Sequence, residues 1–214
     1  LEPFEEAFTR VAGLVKLLRE DGHNITRLDL GGGLGISYEC NDLPPLPSDY
    51  AKMVKRVTEH LGCRIILEPG RFLVGNAGIL VSTVVYIKDG EERKFLIVDA
   101  AMNDLIRPSM YDAYHEIVPV LESNEEILLY DIVGPVCETG DSFASNRPIT
   151  SMKTGDLLAI RSVGAYGAVM SSTYNTRKLI PEVLVKDDKF AVVRPRPTYE
   201  EIINLDHIAP WLSE

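Results

Sequence analysis

Five short stretches of this 214-residue chain carry residue types that can do chemistry. Gly31-Gly32-Gly33-Leu34-Gly35 follows an apolar run, and backbone without Cβ atoms can approach a phosphate and point amides at it. A tight turn explains such a run equally well. The dinucleotide fingerprint fails, because Gly31-x-Gly33 requires glycine or alanine at position 36, where Ile36 stands. No Walker A sequence occurs, so the glycines favour a small phosphate ligand. Glu68-Pro69-Gly70-Arg71 offers a carboxylate able to face a cationic ring nitrogen, plus another glycine amide; a turn with a surface ion pair is the alternative. Asn103 to Tyr111 (Asn-Asp-Leu-Ile-Arg-Pro-Ser-Met-Tyr) presents Arg107 and Tyr111 together, a pair suited to gripping a carboxylate. A structural salt bridge for Arg107 is the competing use. Gly134-Pro135-Val136-Cys137-Glu138-Thr139-Gly140-Asp141 sets a thiol beside an acid in a glycine-flanked loop. An exposed thiol there can donate a proton, whereas a lone cysteine is usually inert core filler. Gly164-Ala165-Tyr166-Gly167-Ala168 leaves room for a ligand against the Tyr166 ring, with core packing as the alternative. His23, His60, His115 and His207 show no metal spacing and there is no GxSxG elbow, so neither a metal site nor Ser–His chemistry is assigned.

The elements that must position these residues can be read from periodicity. Phe4, Phe8, Val11, Val15 and Leu18 recur at spacings of four and three, a helix stopped by Gly22. Arg27 to Leu30 is a short strand running into the glycines. Ser48 is expected to cap a second helix with apolar face Tyr50, Met53, Val54, Val57 and Leu61, ending before Gly62. Arg64 to Leu67 is a further buried-type strand. Helix, strand, helix, strand with short links predicts a parallel α/β sheet or barrel. Beyond about residue 75 the pattern changes. Ile79 to Ile87, a turn at Asp89-Gly90, then Lys94 to Val98, Ile127 to Val133, Leu157 to Ser162, Pro181 to Val185 and Phe190 to Arg194 read as strands of an antiparallel β domain. A short helix (Tyr199 to Leu205) precedes Trp211. The fold class is therefore α/β plus β, with domains expected over 1–75 and 76–214.

Composition narrows the function classes. The formal net charge of −10 argues against a general nucleic-acid binder, and the only compact basic cluster is Arg194-Pro195-Arg196. No stretch approaches the ~18 apolar residues of a membrane span, and no signal peptide is expected. Three cysteines (Cys40, Cys63, Cys137) with no CxxC pairing fit a reducing cytoplasm. A closed (β/α)8 barrel takes roughly 250 residues, yet only two or three strand–helix units precede the β domain, and residue 1 is Leu. The chain is expected to be the C-terminal part of a larger enzyme.

Taken in order, Gly-Gly-Gly-Leu-Gly (31–35), Glu-Pro-Gly-Arg (68–71), Asn-Asp-Leu-Ile-Arg-Pro-x-x-Tyr (103–111), Gly-Pro-x-Cys-Glu (134–138), Gly-Ala-Tyr (164–166) and Tyr-Asn-x-Arg (174–177) closely resemble the diaminopimelate decarboxylase family. That family belongs to the alanine-racemase-like, fold type III pyridoxal-phosphate-dependent decarboxylases. The likeness runs from about residue 27 to the C-terminus. It implies a pyridoxal 5'-phosphate (PLP) barrel, of which 1–75 is the C-terminal remnant, followed by the β domain. It also implies a cytoplasmic homodimer with shared active sites, which decarboxylates meso-2,6-diaminopimelate to L-lysine and CO2. By the same resemblance Gly33, Pro69, Gly70 and Arg71 lie at the cofactor, with phosphate contacts from Gly33, Gly70, Arg71 and the Tyr166 hydroxyl. Glu68 faces the pyridine nitrogen. Arg71, Arg107, Tyr111 and Tyr166 line the substrate, Arg71, Arg107 and Tyr111 gripping its distal carboxylate, and Glu138 binds the distal ammonium. Cys137, delivered across the dimer interface, protonates the α-carbon.

One departure accompanies these matches. The family's Schiff-base lysine belongs to the N-terminal half of its barrel, and none of the nine lysines here (16, 52, 55, 88, 94, 153, 178, 186, 189) stands in that motif. The histidine that packs on the cofactor ring also belongs there. The isolated chain is accordingly expected not to turn over substrate. Two other readings remain: a related decarboxylase of another carboxylate-bearing amino acid, such as a carboxynorspermidine-type substrate, and a non-catalytic cofactor-binding or dimerisation module. Arg107, Cys137 and Glu138 together weigh against the last, because a carrier needs neither substrate clamp nor proton donor.

Overall fold

Helix α1 (Glu2–Glu20) forms because its apolar stripe has somewhere to go: Phe8, Ala12 and Val15 are buried. Its end is set by Gly22 at φ 93°, where the chain reverses and the His23 amide reaches back to the Leu18 carbonyl at 2.9 Å. Strand β1 (Arg27–Asp29) pairs in parallel with β2 (Arg64–Ile66), Leu28 opposite Ile65. Between them lies α2 (Pro47–Thr58), and after β2 the short helix α3 (Gly70–Val74). Two apolar clusters join the helices to the strands. One is Phe8, Leu34, Tyr50, Met53, Val54 and Val57; the other is Ala12, Val15, Leu28 and Leu61. Each of the larger aliphatic and phenylalanine side chains among them contributes about 1.5–3 kcal/mol by leaving water. Phe4, Phe8 and Tyr50 meet at centroid distances of 5.6–6.2 Å, with edge-to-face geometry between Tyr50 and each phenylalanine.

The start of α2 differs from expectation. Leu46, in extended conformation, is the N-cap and Pro47 occupies the first turn, while no side chain caps the helix. The amide that proline lacks is one the first turn leaves unpaired anyway and its φ is already helical, so the helix starts at Pro47 and Ser48 falls inside the first turn, too late to cap. Beyond the helix, a 3-10 turn (Glu59–Leu61) ends on Gly62 in the left-handed region.

This computed structural model describes residues 1–39 and 41–212 (Cys40 lies outside the described residues) and divides into two units, Leu1–Asn76 and the part from Ala77 onward. The second unit is a six-stranded sheet of order β5-β8-β3-β4-β6-β7. Its strands are β3 (Leu80–Asp89), β4 (Lys94–Val98), β5 (Ile117–Pro119), β6 (Ile127–Val133), β7 (Ser142–Thr150) and β8 (Leu157–Ile160). Strand β3 pairs through Leu80–Thr83 with β8 and through Val84–Asp89 with β4, changing partner at a register shift. The edge strands β5 and β7 come close to one another, so the sheet curls nearly shut around Val84, Leu96, Val98, Ile132, Leu158 and Ile160. The pairing is antiparallel except for β4 with β6, which run parallel. Strands β5 and β7 were not legible as strands, the first being three residues long and the second polar and containing Pro148. The hairpin of β9 (Glu182–Lys186) and β10 (Lys189–Arg194) forms a separate two-stranded sheet. Last comes helix α5 (Tyr199–Ile203), closed at its N-terminus by a Thr198–Glu201 capping box.

Candidate functional site

In the first unit the two glycine-bearing motifs sit side by side, because each continues one of two paired parallel strands past its C-terminal end. The Leu30 amide donates to the Ile66 carbonyl at 3.0 Å, and the Glu68 amide to the Gly31 carbonyl at 2.8 Å. Strand C-termini are where parallel α/β folds place ligands. The approach is closer than any side chain permits: a Cβ on Gly32 would lie 2.2 Å from the Glu68 carbonyl oxygen. Gly33 is exposed with φ 94°, a conformation that favours glycine. Glu68 is exposed and Arg71 half-buried. The Gly70 amide donates to the Glu68 carbonyl at 2.8 Å. The phosphate contact expected of that amide therefore competes with a turn, and the Arg71 and Phe72 amides are the first-turn donors the helix leaves over. A bare-backbone cradle, an exposed carboxylate and a guanidinium form a donor set that fits a phosphate ester carrying a protonated ring nitrogen. The lysines of α2 are committed elsewhere: Lys52 pairs with Asp49 at 3.0 Å and Lys55 with Glu59 at 3.6 Å.

In the second unit, helix α4 (Arg107–Tyr111) follows β4 through a loop held by buried polar groups. Asn103, Asp104 and Asp141 are nearly inaccessible to solvent. Arg177 donates to the Asn103 side-chain oxygen at 2.8 Å and to the Asp99 carbonyl at 2.6 Å, and lies 3.4 Å from the Asp104 carboxylate. Burial pushes the Asp104 carboxyl above its ordinary range against the pull of the Ala101 amide and of Arg177. Asp99 goes the other way: burial raises it, but hydrogen bonds from Ser82 and Thr83 outweigh that and lower it. Arg107 extends from this anchored loop. Its Nη1 lies 3.1 Å from His115 Nε2, and its guanidinium carbon is 5.9 Å from the Tyr166 ring centroid. Tyr166 has φ 60°, a left-handed conformation costing a non-glycine residue about 1–2 kcal/mol. The following Gly167 leaves no room for a Cβ, which would lie 2.4 Å from the Val163 carbonyl. That strained turn leaves the Tyr166 ring exposed beside Arg107 rather than in the core.

The loop from Gly134 to Asp141 lies against the Arg107 loop. A Cβ on Gly134 would fall 2.7 Å from the Ala100 carbonyl, and one on Gly140 2.6 Å from Ser109 Oγ. Cys137 and Glu138 are exposed on it. Glu138 accepts a hydrogen bond from the Tyr174 hydroxyl at 3.3 Å and one from the Gly140 amide at 3.4 Å. The structure thus brings Arg107 and Tyr111 onto α4 with Glu138 and Tyr166 on loops of the same sheet unit, and Gly33, Glu68, Pro69, Gly70 and Arg71 onto the adjacent segments that follow β1 and β2 in the first. Sequence reading gave no role to Asp141, His115, Tyr174 or Arg177. Tyr174 and Arg177 carried a signal, since both stand in the Tyr-Asn-x-Arg motif.

The chain belongs to the pyridoxal-dependent decarboxylases: the family model for their C-terminal sheet domain matches residues 22–164. Diaminopimelate decarboxylase of Zymomonas mobilis is 50% identical over 214 residues, 99% of this chain and 50% of that protein. The Aquifex aeolicus enzyme of the same name is 47% identical over 203 residues, 95% of this chain and 48% of its own. Among solved structures, diaminopimelate decarboxylase from M. jannaschii in complex with L-lysine superimposes with a TM-score of 0.93 at 38% identity, over 99% of this chain and 50% of that one. The Helicobacter pylori enzyme complexed with L-lysine gives 0.88 at 40% identity, over 95% and 50%. The chain spans about half the length of the curated relatives it matches. Among the described residues no helix is long and apolar enough to cross a membrane.

Proposed function

We propose that this chain is the C-terminal part of a cytoplasmic, PLP-dependent decarboxylase that converts meso-2,6-diaminopimelate to L-lysine and CO2. Residues 1–75 are the end of its cofactor barrel, and 76–214 its sheet domain. PLP, when bound, supplies a sink for the electron pair left as CO2 departs. The bare backbone at Gly33 and the first turn of α3 from Gly70 hold the phosphate, with Pro69 turning the chain and Arg71 and the Tyr166 hydroxyl adding donors. The Glu68 carboxylate keeps the pyridine nitrogen protonated. Arg107, Tyr111 and Arg71 orient the substrate by its distal carboxylate, Tyr166 bounding the pocket, and Glu138 binds the distal ammonium. The Cys137 thiol delivers a proton to the carbon that has lost CO2. In this reading two copies of the full-length protein form a homodimer, each supplying Cys137 to its partner's site.

The observation that carries the substrate choice is Arg107: a half-buried guanidinium beside the exposed Tyr166 ring, with the Tyr111 phenol on the same short helix. An amino acid with no distal carboxylate gains nothing from that pair. In the full-length protein, Arg107→Ala should lower kcat/KM for meso-diaminopimelate by about 10- to 100-fold, the worth of one or two charge-assisted hydrogen bonds. Activity toward a substrate lacking the distal carboxylate should barely change. An unaltered preference for meso-diaminopimelate would remove this reading, and a preference for another carboxylated diamine would favour the carboxynorspermidine-type alternative. The isolated 214-residue chain should release no CO2.

A further inference from the structure

We propose that His115 is a positioning residue for Arg107: a neutral imidazole of fixed tautomer that orients the guanidinium toward the substrate carboxylate without cancelling its charge. The inference rests on the reading of Arg107 given above. His115 is fully buried, at 0% exposure, between α4 and β5. Its Nδ1 lies 2.9 Å from the Arg161 carbonyl oxygen and its Nε2 lies 3.1 Å from Arg107 Nη1. A carbonyl only accepts and a guanidinium only donates, so Nδ1 carries the proton and Nε2 offers its lone pair. Both partners select the same neutral form, and a second proton on Nε2 would point at a cation. The Arg161 end of the contact is rigid, because the Arg161 amide also donates to the Glu116 carbonyl at 2.8 Å, extending the β5–β8 ladder.

The charged groups facing this imidazole agree with that assignment. Arg107 approaches from α4, and from β7 Arg147 donates to the His115 carbonyl oxygen at 3.0 Å while stacking 4.1 Å over the Tyr114 ring. The Arg161 guanidinium is paired with Glu116 at 2.6 Å. Burial, with Arg107 and Arg147 nearby, holds the ring below its ordinary pKa despite the Arg161 carbonyl. The choice of acceptor matters. An aspartate or glutamate in this place would pair with Arg107 and compete with any ligand carboxylate. A neutral nitrogen orients the guanidinium without placing a negative charge beside it, while the Tyr166 ring lies near it.

The test is a double-mutant cycle in the full-length protein. His115→Asn keeps an amide near the Arg161 carbonyl but falls short of Arg107; His115→Gln can place its amide oxygen where Nε2 now accepts. The expected result is a rise of about tenfold in KM for meso-diaminopimelate in the Asn variant with kcat within about twofold. The Gln variant should return to within about threefold of the parent, and His115→Asn should add nothing once Arg107 is alanine. Additive effects of the two substitutions, or equal defects in Asn and Gln, would overturn the proposal. An unchanged KM in Arg107→Ala would instead overturn the reading of Arg107 itself. Should the Asn variant fail to fold, ring nitrogen NMR of the parent protein decides: protonation at Nε2 at pH 7 refutes the proposal, and protonation at Nδ1 alone sustains it.

Discussion

Asp141 and Met102 are joined across 39 positions of sequence by a 2.7 Å hydrogen bond from the Met102 amide to Asp141 Oδ1. The other carboxylate oxygen accepts the Val136 amide, also at 2.7 Å. One buried carboxylate therefore ties the loop leading to Arg107 to the loop bearing Cys137 and Glu138. Burial pushes this carboxyl above its ordinary range, opposed by both amides and by Arg177. The proposed substrate clamp and the proposed proton donor consequently share an anchor, and a change at Asp141 must be felt by both.

Replacing Asp141 with alanine orphans two amides in a part-buried setting. The expected loss is about 2–4 kcal/mol of stability, read from the denaturant midpoint of the chain. Asp141→Asn, which keeps one acceptor but turns an NH2 group toward an amide, should fall between the two. A midpoint unchanged in the alanine variant would show that these hydrogen bonds contribute little.

Stability should also depend on pH through His115. Its folded pKa lies below the ordinary 6.5, so the unfolded chain takes up this proton more readily than the folded one. The stabilising difference is complete above about pH 6.5 and is lost as pH falls below it, at no more than about 1.4 kcal/mol per pH unit for one proton. Comparing Tm from pH 7.5 to 5.5 in the parent and in His115→Gln isolates this contribution, because the variant cannot titrate there. Asp104 and Asp141, both raised, act in the opposite sense but only from the carboxylate range upward. Parallel curves for the two proteins would contradict the assignment.

Gly32→Ala should open the proposed cofactor cradle. Its Cβ would collide with the Glu68 carbonyl at 2.2 Å, and backbone on at least one side has to give. The expected consequence in the full-length protein is PLP affinity lowered by about tenfold or more, measured by equilibrium dialysis. Gly13, in the middle of α1 with open space around it, serves as the control. There alanine should stabilise the helix by about 0.5–1 kcal/mol and leave cofactor binding unchanged.

Cys137→Ser tests the proton donor. A hydroxyl keeps the size of the side chain but is a far weaker acid than a thiol. In the full-length protein kcat should fall by about 100-fold or more while KM stays within a few-fold. Loss of binding without loss of kcat would assign the loop to substrate recognition instead.

Much of this was legible from local chemistry. The stripe of α1, the glycine that ends it, the strands β1 and β2, and the change to β-rich sequence after residue 75 all follow from periodicity and turn residues, which act within a few positions of one another. So does the grouping of Gly31–Gly35, Glu68–Arg71, Arg107 with Tyr111, and Cys137 with Glu138, whose order along the chain carries the family. The start of α2 departs from a serine cap, because Pro47 can open a helix without an amide, and whether it does so depends on the path of the backbone at Leu46.

What tertiary structure alone decided is which distant groups meet. Three-residue β5 and Pro148-containing β7 are strands only because a curled sheet supplies their partners. Asp141 looks like any loop acid until Met102 and Val136 donate to it, and His115 like a stray histidine until Arg161 and Arg107 fix its tautomer. Sequence determines what each residue is able to donate, accept or bury; burial and long-range contact determine which of those capacities is used, since only removal from water makes an unmatched donor or acceptor costly.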